Sequence, residues 1–173
     1  MLNPLQHLSN HGGHMGISAV IITYNEEANI ERCLQSLSFV DEIVVLDSFS
    51  TDATMDIVRR HTDKVAQRKF AGFAEQRNAA IELASHEWIF VVDADEVVTP
   101  ELASDIGSAV VESRFDAYRM RRLTYFLGKP IRHCGWYPDY GTRVFRKTKA
   151  RFDDSLVHEG LLLSGPVGQL KNE

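Results

Sequence analysis

The sequence predicts an α/β domain in which a mostly parallel β-sheet is flanked by helices. Short apolar, largely β-branched runs begin near residues 17, 43, 64 and 88 and recur every 21 to 26 residues. This spacing is typical of strand–helix–strand units, and helical patterns lie between the runs. The main apolar runs are four to six residues long. None approaches the roughly 18 residues that cross a bilayer, so we predict no transmembrane helix.

The first strand and helix have clear signals. Residues 17–22 are apolar except for one serine, as in a strand that is buried on both faces. We predict Asn25 as the N-cap of the next helix, because its side chain can accept hydrogen bonds from the free N–H groups of the first turn. Ile30, Leu34 and Leu37 then recur at helical spacing and predict the buried face.

The pattern then repeats along the chain. The further predicted elements are a strand at 43–46, a helix containing Met55 and Val58, a weak strand at 64–69, a helix at 73–84, a strand at 88–92 and a helix beginning at Thr99 and Pro100. Ser50, Thr51 or Asp52 is the predicted cap of the first of these helices. Right-handed crossovers would make the sheet parallel, and such sheets bind ligands at the carboxyl ends of their strands.

The residues at those strand ends are acidic rather than glycine-rich. Neither G-x-G-x-x-G nor G-x-x-x-x-G-K-[ST] follows a predicted strand, which argues against a dinucleotide dehydrogenase and a P-loop enzyme. The fourth strand ends in Asp93-Ala94-Asp95, and aspartates two positions apart face the same way in an extended segment. Carboxylates bind a diphosphate only through a divalent cation such as Mg²⁺ or Mn²⁺. We therefore predict a metal-assisted diphosphate site, with a solvated turn as the alternative.

The charge is unevenly distributed along the chain. Its net charge is −5, but residues 114–151 hold eleven of the 19 lysines and arginines and only two aspartates. This basic segment, which includes Arg146 and Lys147, predicts an anionic partner, and a solvated basic face is the alternative. No recognised nucleic-acid-binding motif is present, so we predict no nucleic-acid partner.

Two further features of the sequence predict no chemistry. Residues 1–16 contain His7, His11 and His14, but neighbouring glycines disfavour the helix that would gather them around a metal. We predict a disordered or vector-derived leader. Cys33 and Cys134 form neither a disulfide framework nor a zinc site, which favours free thiols in a reducing cytoplasm.

Four ordered motifs resemble those of family 2 glycosyltransferases. They are AVIITYNEE at 19–27, VVLDSFSTD at 44–52, QRNAA at 76–80 and VVDADE at 91–96. Three later segments are similar to the lipopolysaccharide-core β-glucosyltransferase subgroup: RHCGWYPDY at 132–140, RVFR at 143–146 and VHE at 157–159. The resemblance implies the GT-A fold, with a Rossmann-like sheet, and an inverting transfer. Family members usually extend further, so we predict a truncated C-terminal part.

The resemblance implies two halves of the domain and a site for a UDP-sugar donor. Residues 17–112 would bind the nucleotide sugar, and residues 113–173 would form an incomplete acceptor side. The residues that would line the uridine end are Thr23, Tyr24, Asn25 and Glu27. Asp47 would accept a hydrogen bond from the base, or it is only a turn aspartate that stabilises its loop.

The later motifs would bind the rest of the donor. Arg77 and Asn78 would face the nucleotide, or they are a pair on a helix surface. Asp93 would contact the ribose and Asp95 would ligate Mg²⁺ or Mn²⁺. His158 is a further candidate metal ligand.

An inverting transfer needs a carboxylate that takes the proton of the acceptor hydroxyl. Glu159 is the first candidate base and Asp139 the second. Each has a structural alternative, Glu159 as a partner of His158 and Asp139 as a partner of Arg143.

On the acceptor side, Trp136 and Tyr137 would stack on a sugar, unless the tryptophan belongs to the core. Arg143 and the other basic residues would face an anionic glycolipid at the cytoplasmic side of the inner membrane. Two other functions remain open: a sugar nucleotidyltransferase, and a catalytically inactive module that binds UDP-sugars.

Overall fold

The computed structural model describes residues 15–133, 137–153 and 160–173. In the first part of the chain, strands and helices alternate. These elements are β1 (Ile17–Thr23), α1 (Ile30–Ser36), β2 (Glu42–Asp47), α2 (Thr54–Val58), β3 (Val65–Gln67), α3 (Phe73–Leu83), β4 (Trp88–Val91) and α4 (Pro100–Glu112). The four predicted strands therefore begin within one residue of the expected positions.

After α4 the described chain consists mainly of short strands, with one 3-10 turn at Lys147–Lys149. These strands are β5 (Ala117–Arg122), β6 (Tyr125–Phe126), β7 (Lys129–Pro130), β8 (Asp139–Arg146), β9 (Ala150–Phe152), β10 (Leu161–Leu163) and β11 (Val167–Gln169). The end of α4 coincides with the predicted boundary between the two halves. The main strands beyond it nevertheless join the same sheet as the strands before it.

The main sheet has seven strands in the order β11-β5-β8-β4-β1-β2-β3. β1 pairs in parallel with β2 and β4, β2 with β3, and β11 with β5. Only β8 runs the other way, antiparallel to both β4 and β5. The prediction of a mostly parallel sheet flanked by helices is confirmed. The carboxyl ends of β1, β2, β4 and β5 lie at one edge of the sheet, which we call the carboxyl edge.

Apolar side chains cover both faces of this sheet. Ile21 of β1 belongs to a buried cluster with Leu34 of α1 and Ile106 of α4. The next residue towards the amino end, Val20, belongs to a second cluster, with Ile81 of α3. Burial on both faces explains why the strands read as continuous apolar runs instead of alternating patterns.

The predicted N-cap at Asn25 is wrong. Helix α1 begins at Ile30, and Asn29 occupies its cap position, but its side chain accepts no hydrogen bond from the helix N–H groups. Asn25 instead adopts a left-handed backbone conformation with φ 53°, which asparagine tolerates better than most residues. In that conformation its Oδ1 accepts a hydrogen bond from the backbone N–H of Thr51 at 2.8 Å.

The predicted cap of α2 is also wrong, since Ala53 occupies the cap position and makes no side-chain hydrogen bond there. The predicted start of α4 is confirmed, and at both helices a nearby polar side chain accepts from a free N–H group. Asp52 Oδ1 accepts a hydrogen bond from the Thr54 N–H at 3.0 Å at the start of α2. Thr99 caps α4 by accepting from the Leu102 N–H at 3.2 Å, and Pro100 is the first residue of that helix. These polar side chains satisfy N–H groups that have no partner within the helix.

The α-helices of the described chain are short, and α4 has 13 residues. No helix in the described ranges has both the length and the apolar character needed to cross a bilayer. The predicted leader lies almost entirely in residues 1–14, and its three histidines lie outside the described residues.

Candidate functional site

Parallel strands bring three loops together at the carboxyl edge. They follow β1, β2 and β4 and border a pocket of about 320 Å³. The residues that line this pocket are Ile22, Thr23, Tyr24, Glu26, Ser48, Phe70, Phe73, Arg77, Asp93, Ala94 and Asp95. Five predicted site residues are therefore in one place: Thr23, Tyr24, Arg77, Asp93 and Asp95.

Thr23 lines the pocket and carries a buried polar group that no described residue uses. Its side chain is buried at the end of β1, and its hydroxyl makes no hydrogen bond to any described residue. A buried hydroxyl without a partner is unfavourable, so a ligand that hydrogen-bonds to it would relieve that cost. The neighbouring Tyr24 is exposed and carries an aromatic ring at the pocket wall.

Asn25 and Glu27 have a structural role, because their hydrogen bonds join the loop after β1 to the loop after β2. The Asn25 N–H donates to Ser50 Oγ at 2.8 Å, while its side chain accepts from Thr51 as described above. Glu27 Oε2 accepts a hydrogen bond from the Ala53 N–H at 2.9 Å. Neither residue lines the pocket. Their contacts give both loops a fixed shape.

Asp47 is fully buried, and its carboxylate accepts hydrogen bonds from neighbouring residues. It accepts hydrogen bonds from the Ser50 N–H at 2.9 Å, from Ser50 Oγ at 2.5 Å and from Gln67 Nε2 at 2.8 Å. The geometry favours the alternative of a turn aspartate that holds the loop after β2.

The loop after β4 is built around Asp93. Arg77 Nη2 donates to Asp93 Oδ1 at 3.1 Å, and Arg143 Nη2 donates to Asp93 Oδ2 at 2.9 Å. Burial by itself would raise the pKa of Asp93, but Arg143 and then Arg77 outweigh it and hold the pKa below its usual value. Asp93 is therefore a fixed anion clamped between two guanidinium groups.

Glu96 closes this loop and extends the ion network. Its Oε2 accepts from the Asp93 N–H at 3.0 Å, and its Oε1 accepts from Arg143 Nη2 at 3.2 Å. Burial would lower the pKa of Arg143, but Glu96 and Asp93 outweigh it and raise the pKa. The predicted pairing of Asp139 with Arg143 is wrong, since Arg122 Nε donates to Asp139 Oδ2 at 2.9 Å. Arg143 therefore pairs with the carboxylates of the loop after β4 and not with Asp139 of its own strand.

Asp95 is the exception among these carboxylates. It is exposed, lines the pocket and makes no hydrogen bond or ion pair with any residue that the structure describes. Within the described ranges, no group of three or more His, Cys, Asp or Glu side chains could hold a metal ion. A single carboxylate still fits Mg²⁺ or Mn²⁺ at a nucleotide, because phosphates and water supply the remaining ligands. His158 lies outside the described residues.

Arg77 and Asn78 are neighbours on α3 with different surroundings. The Arg77 guanidinium lies over the rings of Phe73 and Phe152, at 5.8 and 5.4 Å from their centroids, and borders the pocket. Asn78 Nδ2 donates to the Phe152 carbonyl at 2.8 Å, and its Oδ1 accepts from the Phe152 N–H at 3.0 Å. Asn78 thus ties β9 to α3, and it does not line the pocket.

The predicted acceptor side is described only in part. The Tyr137 hydroxyl donates to Glu173, and Arg132 lies 5.4 Å from the centroid of the Tyr137 ring. The hydrogen bond to Glu173 raises the pKa of Tyr137. Trp136 and Glu159 lie outside the described residues.

Sequence reasoning missed several residues that shape the pocket. Gln76 is fully buried, and its Nε2 donates to Ser48 Oγ at 3.0 Å and to the Arg68 carbonyl at 3.1 Å. Phe70 and Phe73 are exposed at the wall, with ring centroids 5.0 Å apart. Their signal was the run Phe-Ala-Gly-Phe before α3, where two large apolar residues flank a glycine with φ 139°.

Cys33 of α1 contacts the backbone of the loop after β4. Its Sγ lies 3.5 Å from the carbonyl oxygen of Asp93 and donates a weak hydrogen bond to it. Burial, together with the nearby carboxylates, raises the pKa of Cys33 to about 12. Cys33 is accordingly a free, protonated thiol and not a nucleophile.

The fold and the carboxyl-edge pocket match a known class of protein. The model of the family described as "Glycosyl transferase family 2" matches residues 18–158. The chain belongs to the family 2 glycosyltransferases.

Curated relatives agree with this assignment. The chain is 33% identical, over 167 residues, to the "Lipopolysaccharide core biosynthesis glycosyltransferase LpsC" of Rhizobium meliloti (strain 1021), covering 90% of this chain and 60% of that protein. It is 38% identical, over 165 residues, to an uncharacterized glycosyltransferase of Rickettsia felis, covering 87% of this chain and 56% of the relative. The chain thus spans little more than half the length of these relatives.

Solved structures show the same GT-A fold. S. aureus TarS in complex with UDP-GlcNAc superposes with a TM-score of 0.61 at 24% identity, over 78% of this chain and 46% of that one. Glucosyl-3-phosphoglycerate synthase from Mycobacterium tuberculosis, in complex with Mn²⁺ and UDP-Glc, gives a TM-score of 0.54 at 24% identity, over 62% and 43% of the two chains. The prediction of a GT-A fold is confirmed.

Proposed function

We propose that the protein transfers a sugar, in the first instance glucose, from a UDP-sugar to an acceptor in the lipopolysaccharide inner core. The pocket at the carboxyl edge carries the proposal, because it combines the unused carboxylate of Asp95 with the unpartnered hydroxyl of Thr23. A nucleotide diphosphate can reach Asp95 through a divalent cation and can form a hydrogen bond with Thr23. Membership of the family supports transfer, and the UDP-sugars bound in two structural neighbours support UDP as the carrier. The similarity to LpsC supports the acceptor class.

The proposed cofactor is a divalent cation, Mg²⁺ or Mn²⁺. Asp95 would bind it, with His158 as a second candidate ligand. When bound, the cation would stabilise the negative charge that develops on the leaving diphosphate. Asp93 would contact the ribose, since Arg77 and Arg143 fix its carboxylate at the pocket wall.

In the proposed inverting reaction, the acceptor hydroxyl attacks the anomeric carbon from the face opposite the diphosphate, and a carboxylate takes its proton. Glu159 remains the first candidate for this base. Asp139 is the second, although Arg122 already engages one of its oxygens.

Two isosteric variants decide between the candidate bases. Glu159→Gln should abolish transfer and leave UDP affinity unchanged, because the amide keeps the shape of the side chain and loses its basicity. Asp139→Asn serves as the matched comparison. Full turnover in Glu159→Gln together with loss of turnover in Asp139→Asn would move the role to Asp139. The measurement uses the full chain with a lipopolysaccharide inner-core acceptor.

Product analysis separates the proposal from its alternatives. A glycosyltransferase releases UDP from UDP-glucose when acceptor and Mn²⁺ are present. A sugar nucleotidyltransferase would release pyrophosphate from UTP and glucose 1-phosphate. An inactive binding module would bind UDP and release neither product. Release of pyrophosphate, or UDP binding with no turnover, would contradict the proposed function.

The proposed place of action is the cytoplasmic face of the inner membrane, because a lipopolysaccharide precursor is an anionic glycolipid anchored in a bilayer. Contact would be peripheral and electrostatic, through cations of the basic segment.

A further inference from the structure

The hairpin formed by β6 and β7 is exposed and is not part of the main sheet. Its two strands pair only with each other and form a separate two-stranded sheet. All six residues from 125 to 130 are exposed. The hairpin follows β5, which runs parallel to β4 because both are antiparallel to β8. The hairpin therefore leaves the sheet at the carboxyl edge, where the pocket lies.

The tip of this hairpin is apolar. Tyr125, Phe126 and Leu127 are 62%, 66% and 87% exposed. Leu127 and Gly128 have φ values of 49° and 74°, so both central residues of the turn are left-handed. Such turns strongly favour Asn-Gly, and a leucine in this conformation is strained. Folding of the domain gives no reason for a strained and solvent-exposed leucine at this position.

Cations flank the tip in the sequence, on β5 and at the start of β7, and part of their charge has no acidic partner. Between residues 117 and 138 the sequence contains no aspartate or glutamate. Arg119 Nε donates to the neutral Gln169 Oε1 at 3.1 Å, and Arg121 donates to a backbone carbonyl. The Lys129 side chain is exposed and makes no hydrogen bond or ion pair with a described residue. An apolar tip beside unpaired cations has the chemistry of a membrane-interface anchor.

The other end of the basic segment does not share this chemistry. Arg146 forms ion pairs with Glu87 and Asp116 and lies 4.7 Å from the centroid of the Trp88 ring. Lys147 Nζ donates to backbone carbonyls, one of them Ala84 at 2.8 Å. Both basic residues lie at the opposite end of β8, away from the carboxyl edge. These internal acceptors do not favour contact of Arg146 and Lys147 with lipid, which stays a prediction.

We propose that the β6–β7 hairpin inserts its tip, Tyr125 to Leu127, into the interfacial layer of an anionic lipid bilayer. Apolar burial of the tip and attraction of Arg119, Arg121 and Lys129 to the lipid headgroups act together. The insertion brings the carboxyl edge to the membrane surface. The inference rests on the proposed function only for its purpose, which is to meet a membrane-borne acceptor.

Vesicle sedimentation of the full chain tests the anchor. Vesicles of phosphatidylcholine with about a third phosphatidylglycerol should bind the wild type at low salt, and pure phosphatidylcholine vesicles should bind it far less. The double variant Phe126→Ser, Leu127→Asn should weaken binding at least tenfold. Asparagine suits the left-handed position, so the turn itself should not lose stability. Val111→Asn, at another apolar residue that is 78% exposed, is the matched control and should bind like the wild type.

A second measurement reports whether the hairpin tip enters the bilayer. In Phe126→Trp, brominated phospholipids should quench fluorescence beyond the quenching of the wild type. The absence of added quenching, wild-type vesicle binding by the double variant, or failure of the wild type to bind anionic vesicles would each overturn the proposal. In the last case a second copy of the chain, or a segment of protein, covers the tip. UDP affinity, measured in parallel by calorimetry, should be equal in all variants. Loss of UDP binding in the wild type would instead contradict the proposed function.

Discussion

Strands β2 and β4 are each followed by an acidic loop, with Asp47 as the last residue of β2 and Asp93 two residues after β4, yet the two carboxylates are used differently. Asp47 accepts three hydrogen bonds, all from Ser50 and Gln67, and is fully buried within its turn. Asp93 is held by arginines from other elements, and Asp95 beside it has no partner among the described residues. An acidic residue at a strand end is therefore not by itself evidence of a ligand. What distinguishes the two loops is whether the carboxylate oxygens are already in use.

The arginines also explain how the second loop can carry two aspartates. Arg77 and Arg143 offset the charge of Asp93 and keep it in place. Asp95 is then a negative group at the pocket that has neither a cation nor a hydrogen-bond donor as a partner among the described residues. The loop after β2 needs no such cations, because hydroxyl, amide and backbone donors satisfy Asp47.

The largest expected effect comes from breaking the arginine clamp. Arg143→Ala should lower the free energy of unfolding by about 3 to 5 kcal/mol, because it leaves the carboxylates of Asp93 and Glu96 without their buried partner. Urea unfolding measures the change. Arg122→Ala, which removes a half-exposed arginine from the same network, should cost less than about 1 kcal/mol. Equal losses in the two variants would contradict a clamp centred on Asp93.

Glu42, near the amino end of β2, gives a reference for a carboxylate that is purely structural. Burial would raise its pKa, but Lys64, Ser18 and Ser85 outweigh burial and lower it to about 2 from 4.5. Because the folded pKa is the lower one, this stabilisation is present above about pH 4.5 and is lost as the pH falls towards 2.

From this shift we expect Glu42 to contribute about 3 kcal/mol to the pH dependence of unfolding. Glu42→Gln should therefore be less stable than the wild type at pH 6 and close to it at pH 2.5, measured by urea unfolding. A stability difference that does not change with pH would show that the ion pair with Lys64 does not form.

Asp47→Ala distinguishes a turn aspartate from a residue that binds the base. We expect a loss of about 2 kcal/mol in the free energy of unfolding, because the change leaves the donors of Ser50 and Gln67 without their acceptor. UDP affinity should fall only modestly when the variant is measured below its unfolding temperature. Unchanged stability combined with complete loss of UDP binding would instead support the predicted hydrogen bond of Asp47 to the base.

The first half of the fold was predictable because burial on both sides of the sheet leaves a strong local signal. Strands β1 to β4 are apolar runs bounded by polar turns, and their starts could be placed closely. The strands after α4 lack this signal, since they are partly buried or fully exposed, and several have only two or three residues. The predicted capping role of Asn25 was wrong because its side chain forms a hydrogen bond with a residue 26 positions away in the sequence.

The candidate site was predictable as a set of motifs but not as a set of contacts. The acidic loop and Arg77 stand out in the sequence. The partners of these residues do not, because Arg143 lies 50 residues from Asp93 and Phe152 lies 74 residues from Asn78. Local patterns carry no information on such pairs. The sequence therefore could not distinguish the free carboxylate of Asp95 from carboxylates that the fold itself uses.

The central claim is that Asp95 is the free carboxylate that binds UDP through a divalent cation. Calorimetric titration of UDP in the presence of Mn²⁺ tests it most directly, with Asp95→Ala against Asp56→Ala. Asp56 is a remote aspartate whose side chain is 88% exposed. We predict that Asp95→Ala weakens binding at least about tenfold, or ~1.4 kcal/mol. Chelation of Mn²⁺ with EDTA should weaken wild-type binding similarly, and Asp56→Ala should bind UDP like the wild type. Equal UDP affinity in Asp95→Ala and wild type, with and without EDTA, would contradict the claim.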